Sequence, residues 1–221
     1  MTSELTHAVP AYFHPAVAPG RWRRLVSQVD RTRFVIINPH NGVGEGVEQR
    51  YSTVVSKLQA AGAQLVGYAD TAYGERPVED LADEARAFQS RYGINGIFLD
   101  QCSTSLEMLD IYEKYAMALR TVGTRFLVMN PGAHPHRGYI DLANVTVTFE
   151  GSWQEYRDFE EPDWITDRPA SRFCHFVYGV PRKIARAPEE IVGDRHVGSV
   201  CFTDGDLPNP WDRIPPALRG R

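Results

Sequence analysis

Short apolar runs recur along the whole chain, and most of them are separated by stretches with helical spacing. The three most apolar runs read FVIIN, IFLD and FLVMN, with no polar residue before the last position. Strands that are covered on both faces of a parallel sheet have this composition. The eight runs that we predict as strands lie at residues 8–13, 34–38, 64–69, 96–100, 125–130, 145–150, 173–179 and 197–203.

Helical patterns fill the gaps between the early strands. Residues 20–30, 47–61, 78–92 and 106–122 repeat apolar positions every three or four residues. The last three are followed by Gly62, Gly93 and Gly123, and glycine suits the left-handed turn that ends a helix. The later gaps, at 137–143, 154–159 and 188–193, predict helices of only one or two turns.

This alternation of strands and helices predicts a parallel sheet with right-handed crossovers. Eight strands favour a single compact (β/α)₈ barrel of the TIM type, with short later helices, over a doubly wound open sheet. The 221 residues lie near the lower end for such a barrel. We assign residues 1–206 to the barrel and the proline-rich residues 207–221 to a tail packed on or extending from it.

Composition excludes several classes of partner. The net charge is −4 and the arginines are scattered, so we expect no nucleic-acid site. No apolar stretch approaches the length of a membrane span, and the N-terminus has no signal-peptide pattern, so we expect a soluble, cytoplasmic protein. The cysteines at 102, 174 and 201 lack CxxC spacing, which argues against disulfides and thiolate zinc sites; those at 174 and 201 lie in apolar runs typical of buried free thiols. The pattern does not specify an oligomeric state.

Polar residues mark the ends of the predicted strands. The active site of a (β/α)₈ barrel is built from these carboxyl ends and the loops that follow them. The end residues are His14, Asn38, Asp70, Asp100, Asn130, Glu150, Tyr178 and Asp204. Asn and Asp also start turns and cap helices, which could explain any one position but explains the whole ring poorly. The ring therefore predicts a functional cluster.

Asp100 and Glu150 are the strongest candidates for catalysis, because each carboxyl group follows an apolar strand, GIFLD or VTVTFE. Glycosidic cleavage commonly uses two carboxyl groups, and apolar surroundings raise the pKa of one so that it stays protonated near neutral pH. In the alternative reading, Asp100 caps the next helix and Glu150 pairs with an arginine.

Other residues near the strand ends are candidates for binding a substrate. Arg76 could hold Asp70, Asp100 or a substrate anion, or lie on the surface. Asn38 and Asn130 each precede a proline, so their amides could bond substrate hydroxyls or shape the turn. Aromatic rings that could stack on a sugar, or merely pack in the core or rim, are those of Tyr12, Tyr68, Tyr73 and Trp153.

Metal and phosphate sites are not expected, and we predict no cofactor. Four histidines could reach the barrel mouth, but none has a ligand spacing such as HExxH. They are His14, His40, His134 and His136. Residues 41–46, NGVGEG, lack the third glycine of GxGxxG and any P-loop lysine, so they predict a flexible loop over the site.

Several blocks, taken in order, resemble the spherulin-four (spherulation-specific) family. They are PAYFHP at 10–15 with Trp22, INPHNGVG at 37–44, GYADTAYGER at 67–76, YGINGIFLD at 92–100, NPG at 130–132 and TFE at 148–150. The resemblance implies a (β/α)₈ fold and, for characterised relatives, endo-hydrolysis of a galactosamine-containing microbial exopolysaccharide. It also implies that Asp100 and Glu150 correspond to essential acidic positions. Fungal glycan-cleaving members carry an Asp-Glu pair where this chain has Asp100 and Gln101, and a polysaccharide hydrolase is normally exported.

The leading hypothesis is a glycoside hydrolase that cleaves an amino-sugar glycan or glycoside. Glu150 is assigned as proton donor and Asp100 as nucleophile or stabiliser. Gln101 in place of a family carboxyl group leaves orientation or hydrogen bonding of the substrate at that position, or else indicates a different reaction. Two alternatives remain open: a repurposed intracellular barrel enzyme acting on a small metabolite, and a non-catalytic carbohydrate-binding protein.

Overall fold

The protein is a closed barrel of eight parallel strands in a computed structural model that describes residues 5–219. The strands pair in chain order, and β1 pairs with β8 to close the sheet. They are β1 Thr6–Pro10, β2 Thr32–Ile37, β3 Leu65–Asp70, β4 Gly96–Asp100, β5 Phe126–Met129, β6 Val145–Ser152, β7 Phe173–Tyr178 and β8 Ser199–Phe202. The predicted (β/α)₈ barrel is confirmed, and the open doubly wound sheet is wrong because this sheet has no free edge.

The α-helices of the described residues lie outside the barrel, and the last two, with 5 residues each, are the shortest. They are α1 Pro19–Val26, α2 Gln49–Ala60, α3 Val78–Tyr92, α4 Leu109–Thr121, α5 Trp153–Arg157 and α6 Pro188–Val192. Helix α3 ends as predicted at Gly93, which has a φ of 67°. The predicted helix over 20–30 is shorter than expected, since α1 stops at Val26 and a separate 3₁₀ turn covers Val29–Arg31.

Alternation along the strands divides the core into two parts. Phe98 of β4 points into the barrel with residues such as Val128 and Phe176, and these side chains fill the interior. Their neighbours Ile97 and Leu99 point outward and pack under the helices. A residue two positions beyond an interior side chain therefore points into the barrel mouth.

The cysteines are buried free thiols, as predicted for Cys174 and Cys201, and Cys102 is buried too. Within residues 5–219, no helix is both long and apolar enough to cross a membrane. The same residues contain no group of three or more His, Cys, Asp or Glu side chains arranged to hold a metal ion.

Candidate active site

A cleft of about 320 Å³ opens at the carboxyl ends of the strands. Its polar lining consists of Tyr12, Asp100, Asn130, Glu150 and Tyr178. The rest of its floor and walls comes from Phe98 and Phe176 and from residues 207–211, which are apolar apart from Asn209. The cleft therefore brings together the two predicted catalytic carboxyl groups and three of the predicted binding residues.

Asn130 connects the two carboxyl groups through a single nitrogen atom. Its Nδ2 donates to Oδ1 of Asp100 over 2.8 Å and to Oε2 of Glu150 over 2.6 Å. Its Oδ1 accepts a hydrogen bond of 3.0 Å from the backbone N–H of Gly132, which turns the NH₂ group toward the acids. Because Asn130 is only 5% exposed, this orientation is held by the surrounding protein.

The shared donor limits the distance between the two carboxyl groups. Since both oxygens lie within hydrogen-bond distance of the same nitrogen, these two oxygens are at most about 5.4 Å apart, a limit shorter than the spacing of inverting glycosidases and compatible with that of retaining ones. Inverting enzymes usually place the groups about 6.5–9.5 Å apart to leave room for a water molecule. The observed pair is thus close enough for both groups to reach one glycosidic bond.

A β-bulge turns Glu150 toward this cleft. Val145 and Val147 of β6 point into the barrel, so simple alternation would turn Phe149 inward and Glu150 outward. The pairing of β6 with β7 instead slips by one residue between Val147 and Phe149, and Phe149 packs outside the barrel. The slip reverses the alternation, and bulges commonly re-aim side chains next to active sites.

Burial gives the two carboxyl groups different proton affinities. Burial raises the pKa of Glu150 from 4.5 to about 7, and the charge of Asp100 adds to the increase, while Asn130 and the nearby Trp211 indole oppose it. Burial also raises the pKa of Asp100, but Tyr68, the Gln101 backbone and Asn130 all donate hydrogen bonds that favour its ionised form. The Tyr68 hydroxyl donates to Oδ2 of Asp100 over 2.9 Å. Near neutral pH this arrangement can supply one carboxylic acid and one carboxylate.

Gln101 presents its backbone rather than its side chain to this site. It adopts a left-handed conformation with a φ of 50°, an uncommon conformation for a residue other than glycine. Its carbonyl oxygen accepts hydrogen bonds from the Thr71 hydroxyl over 2.7 Å and from the Tyr73 N–H over 2.9 Å. Its side chain is exposed and does not line the cleft, so its role in orienting a substrate stays a prediction.

Four other predicted binding residues do not line the cleft. Each makes a hydrogen bond or an ion pair with a neighbouring loop or helix instead. His14 lies beyond the end of β1 and its Nε2 is 2.9 Å from Oε1 of Glu48. Asn38 accepts a hydrogen bond from the N–H of Gly42 over 2.8 Å, and Asp70 accepts one from the N–H of Ala72 over 2.6 Å. Arg76 pairs with Glu84 on α3 over 2.7 Å, and not with Asp70 or Asp100 side chains.

Three further candidates also do not line the cleft. Tyr73 is 61% exposed in the turn after β3. Trp153 begins α5 and packs on the outer apolar cluster, because β6 continues two residues farther than predicted. Asp204 accepts hydrogen bonds of 2.8 and 2.5 Å from Arg219, and this ion pair fastens the C-terminal segment to the end of β8.

The sequence matches the profile of spherulation-specific family 4 over residues 7–220. The chain belongs to this family. It is 31% identical over 169 residues to Spherulin-4 of Physarum polycephalum, an alignment that covers 74% of this chain and 49% of the relative. The chain thus spans about half the length of that relative.

Two solved structures share the barrel of this spherulation-specific chain. Sph3 of Aspergillus clavatus, crystallised in complex with GalNAc, has a TM-score of 0.82 at 21% identity, with 97% of this chain and 94% of Sph3 covered. A chitinase from Rhizomucor miehei has a TM-score of 0.55 at 10% identity, with 98% and 100% covered. At these identities the likeness establishes the fold.

The family match includes the C-terminal segment, which forms one wall of the cleft. Trp211 is 7% exposed and lies 5.5 Å from Phe176 and 6.4 Å from Tyr178 between ring centroids. The sequence pattern predicts a tail over residues 207–221, and Trp211 is not among the predicted site residues. A tryptophan within a proline-rich segment is the signal that could have identified it, because large aromatic side chains are seldom left without packing.

Proposed function

We propose that this member of spherulation-specific family 4 is a retaining glycoside hydrolase that acts on an amino-sugar glycan or glycoside. The observation that carries the proposal is the Asn130 amide, which bonds both carboxyl groups while burial raises the pKa of Glu150 to about 7, so that about half of these groups are still protonated at that pH. The complex of Sph3 with GalNAc supports the choice of an amino sugar.

Glu150 serves as the general acid in this proposal. Its carboxyl group donates a proton to the glycosidic oxygen, so that the leaving sugar departs as a neutral alcohol. Asp100 carries the negative charge at the same moment and either attacks the anomeric carbon or stabilises its positive charge. In the second half-reaction, Glu150 removes a proton from a water molecule, and the sugar hydroxyl formed there keeps its anomeric configuration.

The aromatic walls supply the contacts that position a sugar ring. Tyr12 follows β1 and Tyr178 ends β7, and both line the cleft together with Trp211. Aromatic faces offer a large apolar surface for the C–H side of a pyranose, while phenol and indole groups offer hydrogen bonds. The cleft volume of about 320 Å³ lies at the lower end for small-molecule sites, which favours a short glycoside or one or two sugar units bound at a time.

A hydrolysis assay tests this function. Wild type, Glu150→Gln and Glu113→Gln are incubated with polymers and oligosaccharides of galactosamine and glucosamine, and the reducing ends are counted. We expect the wild type and Glu113→Gln, which changes an exposed residue of α4, to cleave the same substrate. Glu150→Gln should lose at least a hundredfold in rate, since general acid catalysis contributes about 10²–10⁴-fold.

Two further readouts separate this proposal from its alternatives. The rate of the wild type should fall as pH rises above 7, because Glu150 then loses its proton. Proton NMR of the first product should show the anomer of the substrate. A folded wild type that binds amino sugars without cleaving any of them, and whose Asp100→Asn variant binds equally well, would show a carbohydrate-binding protein instead.

A further inference from the structure

A second cavity lies between α1 and the C-terminal segment, separate from the cleft. Its volume is about 370 Å³ and it is lined by Gly20, Arg21, Arg24, Arg213, Ile214 and Arg219. Four of its six lining residues carry guanidinium groups, and none is acidic. Such a concentration of positive charge is unexpected on a chain whose net charge is −4.

Bonds to the surrounding chain hold three of these guanidinium groups in place. Arg219 donates from Nε to the carbonyl oxygen of Ile214 over 2.7 Å and from its two terminal nitrogens to both oxygens of Asp204. Arg213 donates to Oδ1 of Asp212 over 2.8 Å, and Arg21 donates to the Asp212 carbonyl oxygen. Binding an anion here therefore costs little additional side-chain entropy, because the donors are already ordered.

The carboxylates of the described residues do not neutralise this cavity. Asp204 and Asp212 lie within 4.0 Å of Arg213 or Arg219. Among residues 5–219, no carboxylate oxygen lies within that distance of Arg21 or Arg24. Four guanidinium groups thus face two carboxylates, and the excess positive charge lies mainly on the α1 side of the cavity, at Arg21 and Arg24.

We propose that this cavity is a binding site for an oxyanion, namely the phosphate or carboxylate group of a small molecule or sugar. Guanidinium groups match such groups in shape, because two parallel N–H donors meet two oxygens. The cavity exceeds the size of a single phosphate, so it also accommodates part of the body that carries the anion. This site stands independently of the proposed hydrolase activity, since it uses none of the cleft residues.

Titration calorimetry at low ionic strength with inorganic phosphate and, in a second arm, glucuronate tests the proposal. The test variant is Arg24→Gln combined with Arg213→Gln, which leaves the Arg219–Asp204 pair in place. The matched control is Arg157→Gln, an exposed arginine on α5 outside the cavity. Thermal unfolding followed by circular dichroism establishes that each variant is folded.

We expect wild type and Arg157→Gln to bind at least one of the two anions with the same affinity, and the double variant to bind it at least tenfold more weakly. Binding of phosphate alone indicates a phosphorylated ligand, and binding of glucuronate alone indicates an acidic sugar. The proposal is overturned if the folded wild type binds neither anion. It is equally overturned if the folded double variant binds as tightly as wild type, since the heat would then come from other basic groups.

Discussion

Replacing Glu150 by glutamine removes one titrating group from the cleft and keeps the size of the side chain and an acceptor oxygen for Asn130. The pKa of Glu150 is 4.5 in the unfolded reference and about 7 in the folded protein. The folded state therefore holds this proton more tightly than the unfolded state does. The stabilisation is complete below pH 4.5 and is lost as pH rises toward 7, after which the difference stays constant.

The magnitude follows from the size of the shift. A difference of about 2.5 pKa units at about 1.4 kcal/mol each corresponds to about 3.5 kcal/mol. This is an upper value, because Glu150 keeps partial access to the water in the cleft. Relative to wild type, Glu150→Gln should therefore gain stability by up to about 3.5 kcal/mol between pH 4.5 and pH 8.

Buried histidines change the free energy of unfolding with pH in the opposite direction, so their contribution must be separated from that of Glu150. Burial lowers the pKa of His7 and His134 to about 4 and that of His175 well below 6.5. Their contribution to stability is present above pH 6.5 and is lost as pH falls toward the folded pKa values. Both proteins contain these histidines, so their effect cancels in the difference between variant and wild type.

Urea unfolding followed by circular dichroism, at half-unit steps from pH 4.5 to pH 8.5, measures the difference directly. The control Glu113→Gln should run parallel to wild type across the whole range. The curve for Glu150→Gln should approach or cross that of wild type as pH rises. A difference between Glu150→Gln and wild type that does not change with pH would refute the raised pKa and, with it, the assignment of Glu150 as a protonated acid.

Three further predictions concern the surroundings of the carboxyl groups. Asn130→Ala removes a hydrogen-bond donor from both carboxyl groups, so the pKa of Glu150 should rise. The basic limb of the pH–rate profile should then move to higher pH, and the hydrolysis rate should fall at least tenfold. Gln101→Glu should change the hydrolysis rate less than about threefold, because its side chain is exposed and does not line the cleft; a tenfold change would contradict this placement. Gly205→Ala would press a Cβ against the Pro210 carbonyl oxygen and displace the wall of the cleft, so KM should rise, whereas Gly20→Ala on α1, whose added Cβ meets only the Arg23 side chain at 3.8 Å, should leave KM unchanged.

The barrel could be predicted from the sequence because its strands are short, apolar and regularly spaced. Asp100, Asn130 and Tyr178 could be predicted for the same reason, since each ends or follows a run whose apolar residues identify the strand. His14 and Asp204 fit the same description, yet their partners are Glu48 and Arg219. Those partners are far from the strand ends in a linear sequence, and only tertiary packing brings them together.

The C-terminal segment could not be placed for a related reason. Its prolines and its lack of a regular apolar period predict only that it is neither helix nor strand. Its position depends on the two hydrogen bonds between Arg219 and Asp204 and on the close approach of Gly205 to Pro210. Neither contact has a local sequence signature, so Trp211 reached the cleft without being predicted there.

The alternation of side chains along each strand determines which polar residues at the strand ends face the cleft. Asp100, Asn130 and Tyr178 each lie two residues beyond an interior side chain, so regular alternation alone turns them inward. Glu150 lies three residues beyond Val147 and would point outward under the same rule. Only the slip in pairing after Val147 turns it inward, and VTVTFE contains no glycine that would have indicated a bulge. The carboxyl group with the strongest case for acid catalysis is therefore the one whose orientation depends on an irregularity that the sequence pattern does not encode.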